Sequence, residues 1–156
     1  MAADPENTIV METTKGRVVI ELRPDLAPKH VERIKLLARE KFYDGIVFHR
    51  VIDGFMAQAG CPDGRGTGGS KHPNLAAEFN GEPHVRGICS MARSSMPNSA
   101  NSQFFIVFDE ASFLDRQNTV WGQVVEGMEN VDLIKRGEPV VNPDKIVTMR
   151  VLADAA

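Results

Sequence analysis

No stretch of this chain approaches the roughly 18 consecutive apolar residues that a membrane-spanning helix needs. Its hydrophobic residues, 42% of the whole, are spread instead as the core positions of a folded domain. Basic charge is not in excess: the net charge of −3 argues against a protein whose main work is neutralising phosphates. There is no basic stripe or aromatic platform for nucleic acid either. Cysteine is scarce. Cys61 and Cys89 are the only two, enough for one disulfide, but the opening residues Met1-Ala-Ala-Asp-Pro-Glu-Asn lack the basic and apolar regions of a secretion signal. Reduced thiols and a cytosolic location are expected. The histidines His30, His49, His72 and His84 form no H-x-x-x-H pair, and the cysteines no C-x-x-C, so spacing points to no zinc site. G-x-S-x-G and S-x-x-K, the markers of a serine nucleophile, do not occur.

At 156 residues the chain is expected to be one domain, 1–156, with a folded core of about 8–152, large enough to bury roughly two thirds of its unfolded surface. Residues 8–12 and 17–22 carry β-branched side chains around Thr13-Thr14-Lys15-Gly16, a hairpin signal in which Gly16 can supply a positive φ. Pro28 suits a first helical turn, and Val31, Ile34, Leu37 and Ala38 repeat at helical spacing to about Lys41. Short apolar runs at 47–51, 55–59, 87–92, 104–108, 120–125 and 146–152 alternate with turn-rich segments. A second helix is predicted near 128–136, closed by Gly137 and Pro139. About eight short strands, two helices and no regular βαβ alternation predict a mainly β fold, a closed eight-stranded antiparallel barrel capped by two α-helices.

The densest patterning lies at residues 48–58, F-H-R-V-I-D-G-F-M-A-Q. Here Arg50 stands among Phe48, Val51, Ile52, Phe55 and Met56, with the amide of Gln58 beyond. No acid falls between Asp44 and Asp53, so Arg50 is expected to have few local carboxylates to neutralise it. A fixed cation against an apolar wall suits a substrate that is half apolar and half carbonyl. Gly64-Arg65-Gly66-Thr67-Gly68-Gly69 matches G-x-G-x-x-G, but Lys71-His72-Pro73-Asn74 is a poor helix opening and Ser70 stands where a P-loop has lysine. A loop is the better reading. Residues 87–108 contain two apolar strands around a long polar loop. Read alone this is a hairpin; read for function, Gln103 and Phe105 share one strand face and can bind a peptide carbonyl and an apolar ring together. The same holds for Gln58 with Met56, and for Phe113-Leu114 downstream. Cys89, in Gly87-Ile88-Cys89, reads as inert core.

Together these segments resemble the cyclophilins. Residues 48–58 are similar to that family's F-H-R-V-I-x-G-F-M-x-Q signature. Gly66-Thr67-Gly68-Gly69, residues 87–92, Ser102-Gln103-Phe104-Phe105-Ile106, Phe113-Leu114-Asp115 and Gly122 follow in the family's order, so the likeness runs from about Thr8 to Val151. The compact loops are similar to the bacterial, cytosolic branch. The resemblance implies peptidyl-prolyl cis–trans isomerase (rotamase) activity on proline-containing peptides and flexible protein segments, with Arg50 matching the catalytic arginine. Phe55, Met56, Phe105 and Leu114 match the walls of the proline pocket, Gln58 and Gln103 the amides that hold the peptide, and Ala92 and Arg93 the strand end that aligns it. Rotation breaks no bond, so no metal or cofactor is expected. Phe113 stands where many eukaryotic members have tryptophan, which implies weakened cyclosporin affinity. Asn118 aligns with a pocket histidine, and Arg93 replaces a common asparagine. A monomer is expected, and the rival reading is a proline-binding module or chaperone without useful catalysis.

Overall fold

The computed structural model describes residues 4–64, 68–94, 96–138 and 140–155. β1 (Thr8–Thr13) and β2 (Gly16–Leu22) pair antiparallel with Thr13 opposite Gly16, so Thr14 and Lys15 alone make the turn. Gly16 takes φ +129°, and a Cβ there would lie 2.7 Å from the Asn130 side chain; both the conformation and the close approach require glycine. Ile9, Met11, Val18, Ile20 and Leu22 alternate inward along the two strands and are buried.

α1 (Pro28–Arg39) opens at Pro28 as predicted, with no capping side chain of its own. Glu78 supplies the cap from 48 residues away in sequence, accepting the His30 backbone N–H at 2.8 Å and that of Lys29 at 3.2 Å. The helix ends slightly earlier than its periodicity suggests. Lys41 turns into the left-handed region at φ +61°, while the N–H groups of Lys41 and Phe42 return to the carbonyls of Ala38 and Leu37. Val31, Ile34, Leu37 and Ala38 face the core.

The remaining strands are β3 (Arg50–Ile52), β4 (Met56–Ala59), β5 (Ile88–Met91), β6 (Phe104–Val107), β7 (Val120–Glu126) and β8 (Ile146–Val151). One eight-stranded sheet runs β3-β4-β6-β5-β7-β2-β1-β8, every neighbouring pair antiparallel. The sheet is a curled half-barrel rather than the closed barrel expected, because no ladder joins β8 to β3. That seam is stitched by isolated bonds along the ends of β3 and β8 and the segments beside them: Gly45 N–H to Ile146 O, Ile146 N–H to Ile46 O, Phe48 N–H to Asp144 O and Gly137 N–H to Val51 O. The second helix is also shorter than predicted. α2 (Met128–Val131) gives way to tighter turns in which Leu133 and Ile134 donate to carbonyls three residues back, and Arg136 folds over to donate to the carbonyls of Asp132 and Ile134. Pro139 lies outside the described residues. A last turn, α3 (Leu152–Ala155), follows β8.

β4, β5 and β6 are buried at every position because both of their faces are covered. Ala57, Ala59, Cys89, Met91, Phe104 and Ile106 point into the main core. Met56, Phe105, Val107 and Ile88 point the other way, into a second apolar cluster with Ala111 and Val120. This outer cluster positions the site.

Candidate functional site

Strand register sets the predicted residues in one line. Arg50 on β3 is opposite Gln58 on β4, Gln58 is opposite Phe105 on β6, and Phe105 is opposite Ser90 on β5. Residues directly opposite project to the same side of a sheet, so a cation, an amide and an aromatic ring lie in a row on the outer face. One step along the strands, Ile52, Met56 and Val107 form a parallel apolar row. Phe55, Ala92 and Leu114 pack partly buried against this surface, and the ring of the largely exposed Phe113 lies 5.4 Å from that of Phe55. The result is an apolar recess with a polar, donor-bearing edge.

The amides of the edge are linked. Gln58 is 9% exposed; its Nε2 donates to Gln103 Oε1 at 3.0 Å, and Gln103 Nε2 donates to the Gly68 carbonyl at 2.9 Å. Ala92 donates its backbone N–H to Gln103 O, one residue beyond the Met91–Phe104 pair of the β5–β6 ladder. Beyond it the segment connecting β5 to β6, Asn101 included, lines an open groove of about 580 Å³ shared with Gln58, Gly68 and Ser70. Residues 87–108 therefore form a hairpin whose long connection opens onto this groove, although Ser95 lies outside the described residues. Arg93 extends along the rim, donating to the carbonyls of Gln117 and Ser94 with its guanidinium 5.5 Å from the Phe79 ring. Asn118 does not simply line the recess: its Nδ2 donates to Met91 O at 3.0 Å and ties the downstream loop to the end of β5. Arg65, Gly66 and Thr67 of the glycine-rich run lie outside the described residues; at Gly68-Gly69-Ser70 no helix begins, as a dinucleotide site would require.

Support beneath the recess comes from residues that sequence reasoning left aside. The His84 ring stacks on Phe105 at 6.3 Å. His84 Nδ1 lies 3.0 Å from Asp115 Oδ1 and its Nε2 2.9 Å from Ser90 Oγ, which also lies 3.0 Å from Thr119 O. Burial pushes the His84 imidazole below its ordinary value, with Asp115 opposing in part. Asp115–His84–Ser90 has the connectivity of a nucleophilic triad, but Ser90 is 0% and His84 1% exposed, so no acyl substrate can reach the hydroxyl. The relay is a scaffold: it fixes Phe105 from below and anchors the loop bearing Phe113 and Leu114. No short motif announces it, since its members are separated by 31 and 6 residues.

Arg50 finds its carboxylate partner outside its own stretch of sequence. Its sequence neighbourhood is free of acid, yet Arg50 Nε donates to Glu138 Oε2 at 2.6 Å across 88 residues of chain, and Nη1 reaches Gln58 Oε1 at 3.3 Å. The local stretch supplies no carboxylate partner, and the pairing group comes from far along the chain. Burial raises the Cys89 thiol far above its ordinary value, in keeping with inert core, and neither cysteine forms a disulfide. No group of three or more potential ligands for a metal ion occurs among the described residues.

The family model for cyclophilin-type peptidyl-prolyl cis-trans isomerase/CLD matches residues 8–151. A probable peptidyl-prolyl cis-trans isomerase of Brucella suis is 55% identical over 98% of this chain and 86% of its own. A crystallised cyclophilin from Hirschia baltica superposes with a TM-score of 0.93 at 32% identity, covering all of this chain and 77% of that one. A Cryptosporidium parvum cyclophilin-type isomerase, crystallised in the presence of the dipeptide Ala-Pro, gives 0.86 at 26% identity over 92% of this chain and 98% of that one. With the family model spanning residues 8–151 and the relatives agreeing in sequence and fold, the chain belongs to the family of cyclophilin-type peptidyl-prolyl cis-trans isomerases.

Proposed function

We propose that an X-Pro segment of a flexible or folding protein binds across the outer face, proline ring in the recess of Phe55, Met56, Phe105 and Leu114, and that Arg50 stabilises the twisted amide. The amide before proline resists rotation by about 18–20 kcal/mol, and a turnover of about 10 per second requires removing roughly 4 kcal/mol of that barrier. The twisted state has lost resonance, so its nitrogen carries a localised lone pair. A guanidinium donating to that nitrogen, or to an adjoining carbonyl, binds the twisted form better than either planar form. One positioned donor is worth about 3–4 kcal/mol, the size the task needs. Gln58, Gln103 and the strand end at Ala92-Arg93 hold one flank, so that rotation is confined to a single bond.

The observation that carries this reading is the Arg50–Gln58–Phe105 row, set by strand register rather than by flexible loops. The Ala-Pro dipeptide named with the Cryptosporidium relative supports a prolyl ligand. Phe113 lacks the indole N–H of a tryptophan and stands 68% exposed at the rim; cyclosporin binds weakly on this reading. We place the protein in the cytosol as a monomer, acting on many clients. Exchange NMR on a short Ala-Pro peptide tests the proposal: the wild-type protein speeds cis–trans exchange at substoichiometric amounts. Peptide binding without acceleration would make it a proline-binding module instead.

A further inference from the structure

The backbone on either side of Arg50 is bonded to the backbone on either side of Glu138. Val51 N–H donates to Gly137 O and Gly137 N–H to Val51 O, both at 2.8 Å, while Val140 N–H donates to His49 O at 3.1 Å. The carboxylate is thus delivered opposite the guanidinium by the seam of the half-barrel. Arg50 and Glu138 side chains are 40% and 57% exposed, and an exposed pair of this kind contributes little to stability. Its effect is on orientation. A guanidinium is a rigid planar fork of five N–H donors, and two contacts fix its plane: Nε on Glu138 and Nη1 on Gln58. Among the described residues Nη2 has no protein acceptor, leaving its two hydrogens for a ligand. Glu138 also offsets the positive charge, so that the row offers a directed donor instead of a general attraction for anions.

We infer that Glu138 is a positioning residue of the isomerase site: it holds Arg50 by Nε so that the Nη edge faces the substrate, and it keeps the site indifferent to acidic residues next to proline. This rests on the role proposed for Arg50 and adds a residue to it. The test uses exchange NMR with Ala-Pro peptides bearing Glu or Lys beside the X-Pro pair, on wild type, Arg50→Ala, Glu138→Ala, Glu138→Gln and the Arg50→Ala/Glu138→Ala double variant. Glu138→Ala is expected to lose about fivefold in kcat/KM at unchanged melting temperature. Glu138→Gln keeps a carbonyl acceptor for Nε–H and should stay within about twofold of wild type. Both variants, having lost the charge, should shift preference roughly threefold toward the Glu peptide. In the Arg50→Ala background, removing Glu138 should have no further effect on rate. Wild-type rate and charge preference in both Glu138 variants, beside an inactive Arg50→Ala, would overturn the inference alone. So would a Glu138→Ala loss that persists in the Arg50→Ala background. Full activity in Arg50→Ala would instead bring down the mechanism on which the inference rests.

Discussion

At the scale of residues, the division of labour follows from which face of a strand each side chain takes. Trp121, the only tryptophan, points into the main core, fully buried and edge-on to Phe104 at 5.7 Å, whereas its neighbour Val120 belongs to the outer cluster. Its fluorescence is therefore expected to be blue-shifted and unmoved by saturating prolyl peptide; a change on binding would place the ligand elsewhere. Arg50, Gln58, Gln103 and Phe105 were legible in sequence because short motifs carry them and period two assigns them a common face. Glu138 was not legible. No local pattern links it to Arg50 across 88 residues, and only the stitched seam brings the two together.

At the scale of elements, the hairpin of β1 and β2 and the start of α1 could be read directly, since Gly16 and Pro28 act on their own backbone. The cap of α1 could not, because Glu78 reaches it through space. Burial alone would raise the Glu78 carboxyl, but the His30 side chain and the N–H groups of His30 and Lys29 bring it below its ordinary value. Glu78→Ala should therefore lower unfolding free energy by about 1–2 kcal/mol, read from urea denaturation, with little change in the isomerase rate. An unchanged midpoint would show that the helix needs no such cap. α2 was predicted too long for a related reason: apolar residues continue to Ile134, but the Arg136 side chain takes the Asp132 and Ile134 carbonyls.

At the scale of the whole molecule, eight antiparallel strands were legible from apolar runs and turn residues. Whether the sheet closed was not, because closure depends on how segments 45–49 and 137–146 meet rather than on either pattern. Stability should respond to acid earlier than carboxylate chemistry alone would dictate. Burial holds His30, His49 and His84 below the ordinary imidazole value of about 6.5. The unfolded chain then binds more protons than the folded one as pH falls below that value, so stability is full above about pH 6.5 and declines as pH drops toward the folded-state values. Asp44 and Asp132, held low by the hydrogen bonds of Arg150 and Arg86, add a further loss as pH falls from the ordinary carboxylate value of about 4 toward their lower folded-state values. The urea midpoint should already fall between pH 7 and about pH 5.5, and a flat midpoint over that interval would contradict the burial of the three imidazoles. The central claim, that Arg50 acts on the twisted amide more than on bound peptide, is tested most directly by comparing wild type and Arg50→Ala in exchange NMR on one Ala-Pro peptide, with the fold checked by amide spectra. The account predicts a rate lowered at least ~100-fold with peptide affinity within about threefold of wild type; a rate lowered only as far as affinity falls, or not lowered at all, would contradict it.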